Sequence, residues 1–253
     1  AVYAAQVASI DRSTGRILES LRKAGQFENT LVLFLSDNGA APDGGVTPTK
    51  GGFGFSSNNA ASQWRLNGQG IRVGSDPDIL PGPPGTFAAY GLAWALTSNT
   101  PFRDTKLTGY ECGIRTPLIA HWPAGIAAQG KIVNDVGHFI DLMPTFLDLA
   151  GAKYPAELDG RRPLPPDGRS FAPVLRGHSL PPREPLAWRV PQHRVFRSGY
   201  WKIISKDEKS PWELYDLAAD GTETANIADQ HPDVVKHLAA QWQAWADSCS
   251  ASK

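Results

Sequence analysis

The run TLVLFLSDNGA, Thr30 to Ala40, constrains the fold of this chain more than any other segment. Its apolar stretch is long enough for one strand and stops abruptly at Asp37-Asn38-Gly39. A strand apolar on both faces belongs inside a covered parallel sheet, and ligands of such sheets gather at the carboxyl ends of strands. Asp37 and Asn38 therefore stand where a cation site is expected. The same tripeptide is also good turn chemistry, so on its own it is compatible with a plain turn.

Upstream, Tyr3 to Ala24 carries Val7, Ile10, Thr14, Ile17, Leu18 and Leu21 at helical spacing, and Gly25 stands where a helix C-terminus favours a left-handed residue. A helix feeding a buried strand is half of a βαβ unit, so its partner strand is expected before Ala1. An apolar surface left open at that side follows. From Ala41 to Ala88 the chain turns to Gly, Pro, Ser and Asn, which reads either as a lid over the Asp37 region or as an inserted loop.

Pro117 to Trp122 is the next apolar strand, and His138 to Ala150 reads as a helix closed by Gly151. Proline is frequent between Pro155 and Pro191. Arg194 to Ser205 and Trp212 to Leu217 then alternate as short antiparallel strands, and Val234 to Trp245 closes the chain as a helix. The expected fold class is α/β: part of a mostly parallel central sheet flanked by helices, plus a small C-terminal antiparallel sheet with a packed helix. The expected division is 1–154 for the α/β part, 155–190 for a Pro-rich crossing segment and 191–253 for a small α+β subdomain.

With 25 Lys+Arg against 25 Asp+Glu, nothing argues for nucleic acid or an anionic membrane surface as partner. No apolar run approaches the ~18 residues of a membrane-spanning helix. Cys112 and Cys249 lie too far apart in sequence for a zinc ribbon or a redox pair, and free thiols are expected.

Four blocks carry a family resemblance: SDNG with the segment YGLAWALTSNTPFRDTKLTGYECGIRTPLIAHWP (Tyr90 to Pro123), VGHFIDLMPTFLDLAG, DGRSFAPVLRG, and WELYDLAADGTETANIADQHPDVV. Together they resemble the sulfatases, closest to bacterial arylsulfatases of the alkaline phosphatase superfamily. The resemblance implies a hydrolase of sulfate esters using a metal, usually Ca2+ with Mg2+ as the alternative, and Asp37 and Asn38 match one pair of its ligands. Carboxylate and amide oxygens suit such hard cations, which need about six to eight of them in the case of calcium. Lys106 matches the lysine that contacts the sulfate, where a compact ammonium can neutralise a nonbridging oxygen and support charge on the departing one.

The resemblance further implies a preceding segment with an acidic ligand pair and a Cys-x-Pro/Ala-x-Arg motif whose cysteine becomes formylglycine, the nucleophile. The expectation is a C-terminal half of a longer enzyme, inactive alone, with the N-terminal half as its partner and its compartment set by whether a leader precedes it. Cys249 opens Cys-Ser-Ala-Ser-Lys, but Lys253 replaces the arginine of that motif, and a tail cysteine is the plainer reading. The family commonly has Glu-Gly-Gly where this chain has Glu111-Cys112-Gly113, and histidines near Leu107 and Tyr110. Cys112 reads as a small-residue substitution. Arg115 and Trp122 are expected to pair and pack, Asp141 to start a helix, and His138, His121 and His193 to be structural. Two further readings stay open: a phosphonate monoester or phosphodiester hydrolase of the same superfamily, and a noncatalytic remnant binding an anion or a partner.

Overall fold

The structure, a computed structural model, describes residues 2–42, 67–70, 72–73, 80, 82–87, 90–126 and 130–251. Most of the Gly/Pro-rich stretch from Ala41 to Ala88, read above as a lid or insertion, lies outside the described residues. Helix α1 runs Val2–Lys23 and ends at Gly25 with φ +67, as the spacing predicts. Its apolar stripe remains open, with Val7, Ile10 and Ile17 all about half exposed or more.

The helices and strands sort into two units, Ala1–Ser13 with Leu35–Pro117 and Pro185–Lys253, and Thr14–Phe34 with Leu118–Glu184. In the second, β1 (Val32–Leu35) pairs with the later β4 (Leu118–His121) as a two-stranded sheet. Both strands form where predicted. Neither is buried on both faces: Phe34, Leu118 and Ile119 stay exposed, because only two strands are present and no helix layer of the described residues covers them.

The same unit shows how the Pro-rich segment is held. A single 3-10 turn, Phe139–Asp141, leads into α4 (Leu142–Ala150), which closes on left-handed Gly151. The Asp141 carboxylate accepts the His138 backbone N–H and the Arg169 backbone N–H, and is gripped by both terminal nitrogens of Arg183. Gly168 passes so close that a Cβ there would meet the Ile140 carbonyl oxygen at 2.0 Å. Ser170 donates to Asp148, the Phe171 N–H donates to Thr145 Oγ1, and the short helix α5 (Ala172–Leu175) follows. The block DGRSFAPVLRG is thus the strap that ties a proline-rich stretch lacking its own hydrogen-bond ladder onto α4.

In the first unit, a two-residue pair joins β2 (Arg72–Val73) to β3 (Thr86–Phe87), followed by α2 (Gly91–Asn99) and α3 (Glu111–Ile114). Its larger sheet is antiparallel, in the order β5 (Leu186–Val190), β6 (His193–Ser198), β7 (Trp201–Ser205) and β8 (Glu213–Asp216). Alternation predicts β6, β7 and β8. Strand β5 escapes that argument because Pro185 and Pro191 bracket it, which an edge strand tolerates. One face packs on α6 (Pro232–Ala251) through Phe196, Ile203, Leu214, Leu238 and Trp242. The other packs Val195, Ile204 and Tyr215 against Tyr110 and Cys112.

The loop after β8 explains most of the block DLAADGTETANIAD. Asp220 Oδ2 accepts the N–H groups of Thr224 and Ala225, both at 2.8 Å, while Asn226 Oδ1 accepts those of Leu214 and Ala228. Glu223, at the loop's turn, adopts φ +59 and is buried.

Candidate active site

Strand β1 ends at Leu35 and the chain turns through Ser36, Asp37, Asn38 and Gly39. The turn is set locally: Ser36 Oγ donates to the Asn38 carbonyl at 2.8 Å, and Thr116 Oγ1 donates to the Ser36 carbonyl at 2.8 Å. Gly39 is required by a close approach. Its backbone N–H points at the Gly113 carbonyl, and a Cβ would land 1.6 Å from the Cys112 carbonyl oxygen. Asp37 is exposed and Asn38 half-buried. Among the described residues, no hydrogen bond or ion pair engages the Asp37 carboxylate. Asn38 donates its amide N–H to the Gly39 carbonyl, and among the described residues its Oδ1, the hard oxygen, has no hydrogen-bond partner.

Lys106 lies in a loop reached from α2. The structure brings it to the Asp37 turn through the main chain, since the Lys106 N–H donates to the Ala40 carbonyl at 2.9 Å. Asn99, the last residue of α2, clamps the junction. Its Oδ1 accepts the Ala40 N–H at 2.8 Å, and its Nδ2 donates to the Asp104 carbonyl at 3.1 Å. Asn99 escapes sequence reasoning because an asparagine at a helix end has a sufficient local explanation. The only signal for it is its place in TSNTPFRDTK, a few residues before Lys106.

The Lys106 loop is backbone-strained. Asp104 at φ +76 and Leu107 at φ +71 flank it. Asp takes the left-handed region with modest cost, but Leu is a bulky residue there, and such outliers persist only where surroundings over-determine them. Here the surroundings do: Asp104 Oδ1 accepts the Thr105 N–H, and Thr108 Oγ1 donates to the buried Thr105 carbonyl. Strain of this kind clusters at functional sites.

Cys112 sits beneath the loop, buried, with Sγ 3.7 Å from the Thr105 carbonyl and 3.5 Å from Thr108 Oγ1. Burial pushes its pKa up to about 11, so it is a packing residue rather than a nucleophile. Arg115 pairs with Glu111 and stacks on Phe102, as expected. Gly125 passes directly beneath the Trp122 ring. His193, set aside as structural, accepts the Gly109 N–H through Nδ1 at 3.1 Å, and burial lowers its pKa below 6.5. His121 meets the Phe27 ring.

Comparison with known proteins bears on this constellation. The Sulfatase family model matches residues 1–152, the part that contains the Asp37 turn and the Lys106 loop. The chain belongs to the sulfatase family. A second family model, N-sulphoglucosamine sulphohydrolase C-terminal, matches residues 102–247. An uncharacterised sulfatase of Schizosaccharomyces pombe is 30% identical over 95% of this chain and 42% of its own length. An arylsulfatase of Klebsiella aerogenes is 32% identical over 68% of this chain and 34% of its own. A solved protein of glycosaminoglycan metabolism from Bacteroides thetaiotaomicron shares the fold, with a TM-score of 0.61 at 23% identity over 93% of this chain and 42% of that one. The chain thus spans less than half the length of these sulfatases. Among the described residues no three His, Cys, Asp or Glu side chains gather as a metal cluster. Asp37 and Asn38 fit a hard cation by donor type, and among the described residues neither the Asp37 carboxylate nor Asn38 Oδ1 has a hydrogen-bond partner.

Proposed function

We propose that the protein containing this chain hydrolyses sulfate esters, aryl sulfates among them, with Lys106 contacting the sulfate and Asp37 and Asn38 donating oxygens to a calcium ion. The observation that supports this most is the junction at Ala40, where the Lys106 N–H donates to the Ala40 carbonyl and Asn99 exchanges two hydrogen bonds with the Ala40 backbone, tying the Lys106 loop to the turn carrying both oxygen donors. A solvated surface lysine has no use for a strained loop tied to Ala40 and Asn99 and braced by its own Asp104 and Thr108 side chains. A calcium ion held by Asp37 and Asn38 would supply positive charge to the reaction.

The rest falls to the chain's own groups. The Lys106 ammonium offsets charge on an oxygen of the sulfate as the ester bond lengthens, from a backbone anchored at the Ala40 carbonyl. Asn99 and Gly39 hold the two segments at their separation. The formylglycine nucleophile that the family uses is expected from a segment outside this sequence.

The test compares Lys106→Ala with the parent in the full-length enzyme, on an aryl sulfate and on a phosphonate monoester. The expected result is a loss of roughly a hundredfold or more in kcat/KM on the sulfate, the size of removing one fixed stabilising group. Parent turnover confined to the phosphonate would move the assignment to a phosphonate hydrolase, and unchanged sulfate turnover in Lys106→Ala would remove Lys106 from the site.

A further inference from the structure

Three strands of the antiparallel sheet reach the segment that carries Lys106. Gly109 lies flat on β6 and β7, where a Cβ would meet Val195 Cγ2 at 2.3 Å, and its N–H is taken by His193 on β6. The Tyr110 hydroxyl donates to Glu213 Oε2 on β8 at 2.7 Å. Under α3 stands a fully buried charge assembly: the Lys202 ammonium, on β7, is 2.8 Å from Glu111 Oε1 and 2.8 Å from Glu223 Oε1. Glu223 Oε2 also accepts the backbone N–H of Glu111 at 2.6 Å.

Apolar packing is the cheaper way to fill such a space, since desolvating three charges costs more than their attraction commonly returns. Here the assembly also carries two carboxylates for one ammonium, with Arg115 at 3.6 Å from Glu111 and Arg197 adding a further favourable charge on it. What it provides is position. Glu111, at the start of α3, is held at once by its side chain and by its main chain. Glu223 is presented from a left-handed residue that the Asp220 loop fixes, and its carbonyl is taken by Arg103 at 2.7 Å. Arg103 and Glu111 bracket the Lys106 loop in sequence. Both ends of the loop are therefore tied to one residue, Glu223: Arg103 to its carbonyl and Glu111 to the carboxylate that Lys202 holds.

We propose that Lys202, clamped between Glu111 and Glu223, is a positioning residue for Lys106, so that the C-terminal sheet sets where the sulfate-binding ammonium stands. This rests on the reading of Lys106 given above.

A double-mutant cycle in the full-length enzyme tests it, with Lys106→Ala, Lys202→Met and the pair assayed on an aryl sulfate well below the melting temperature of each variant. Lys202→Met is expected to lower kcat/KM roughly tenfold to a hundredfold, as misplacing a stabilising group does, with calcium affinity unchanged. In the Lys106→Ala background the same substitution is expected to cost less than about twofold, because residues acting as one unit are not additive. Losses that multiply, or full activity in Lys202→Met, overturn the proposal. Full activity in Lys106→Ala overturns the reading beneath it, and that single variant shows which of the two has failed. Should Lys202→Met not fold, Glu111→Gln, which keeps the side chain's shape and one acceptor, is carried through the same cycle with the same deciding outcomes.

Discussion

At the scale of single residues, the Asp37 turn and the Cys112 thiol make opposite demands on chemistry. Asp37 is exposed, and among the described residues its carboxylate has no hydrogen-bond or ion-pair partner. In the full-length enzyme Asp37→Ala is expected to abolish calcium binding and turnover together, because it removes both a charge and a coordination position, whereas Asn38→Ala weakens binding less. Titration calorimetry on the folded variants decides this, and unchanged affinity in Asp37→Ala would take it out of the site. Cys112 is closed. With its pKa near 11 and its sulfur buried, it should resist a thiol reagent at pH 8 while exposed Cys249 reacts. The expected count is one thiol per chain in the native state and two in denaturant, and labelling of Cys112 without unfolding would contradict the burial.

At the scale of elements, the contact between β6 and the Lys106 loop carries a pH dependence. His193 accepts the Gly109 N–H, so it must be neutral at Nδ1, and burial holds its folded pKa below the ordinary 6.5. The unfolded chain then binds more protons in that interval, and stability is lost as pH falls from 6.5 through the folded value. His138 is shifted the same way by burial and by Arg183, so the acid loss is shared. His193→Asn, whose Oδ1 can take the Gly109 N–H without titrating, is expected to flatten the part of the loss due to His193 when melting temperature is followed from pH 7 to 5. An unchanged slope would mean that this contact is not coupled to folding. The elements themselves were largely legible from residues: α1 from its stripe and Gly25, β4 from PLIAHW, β6 to β8 from their alternation. Partnerships were not. Asn99 meets Ala40 across 59 positions and Lys202 meets Glu111 across 91, and one sequence offers no period or spacing that links residues so far apart.

At the scale of the whole molecule, the same limit explains why the turn at Asp37 and Asn38 was visible while the framework that holds it was not. Strand-end chemistry is local, whereas burial depends on what is stacked beside it. That is also why β1 and β4, apolar but for His121, keep Phe34, Leu118 and Ile119 exposed on the described chain. The two oxygen donors proposed among the described residues fall short of the about six that calcium takes, so the 253-residue chain by itself is expected to show no calcium-dependent turnover of an aryl sulfate. Activity surviving in Cys249→Ala would mean that the reaction runs on different chemistry, and activity lost in it would restore the tail motif. The buried assembly of Lys202, Glu111 and Glu223 sets a rule for anyone exchanging parts between relatives. A graft beginning at Pro185 carries the lysine and one glutamate but leaves the other in the recipient, and if the recipient lacks an acid at that place the graft seals a carboxylate and an ammonium inside without their third member. Crossover points for chimeric sulfatases of this type therefore belong before α3, so that the ammonium and both carboxylates travel together.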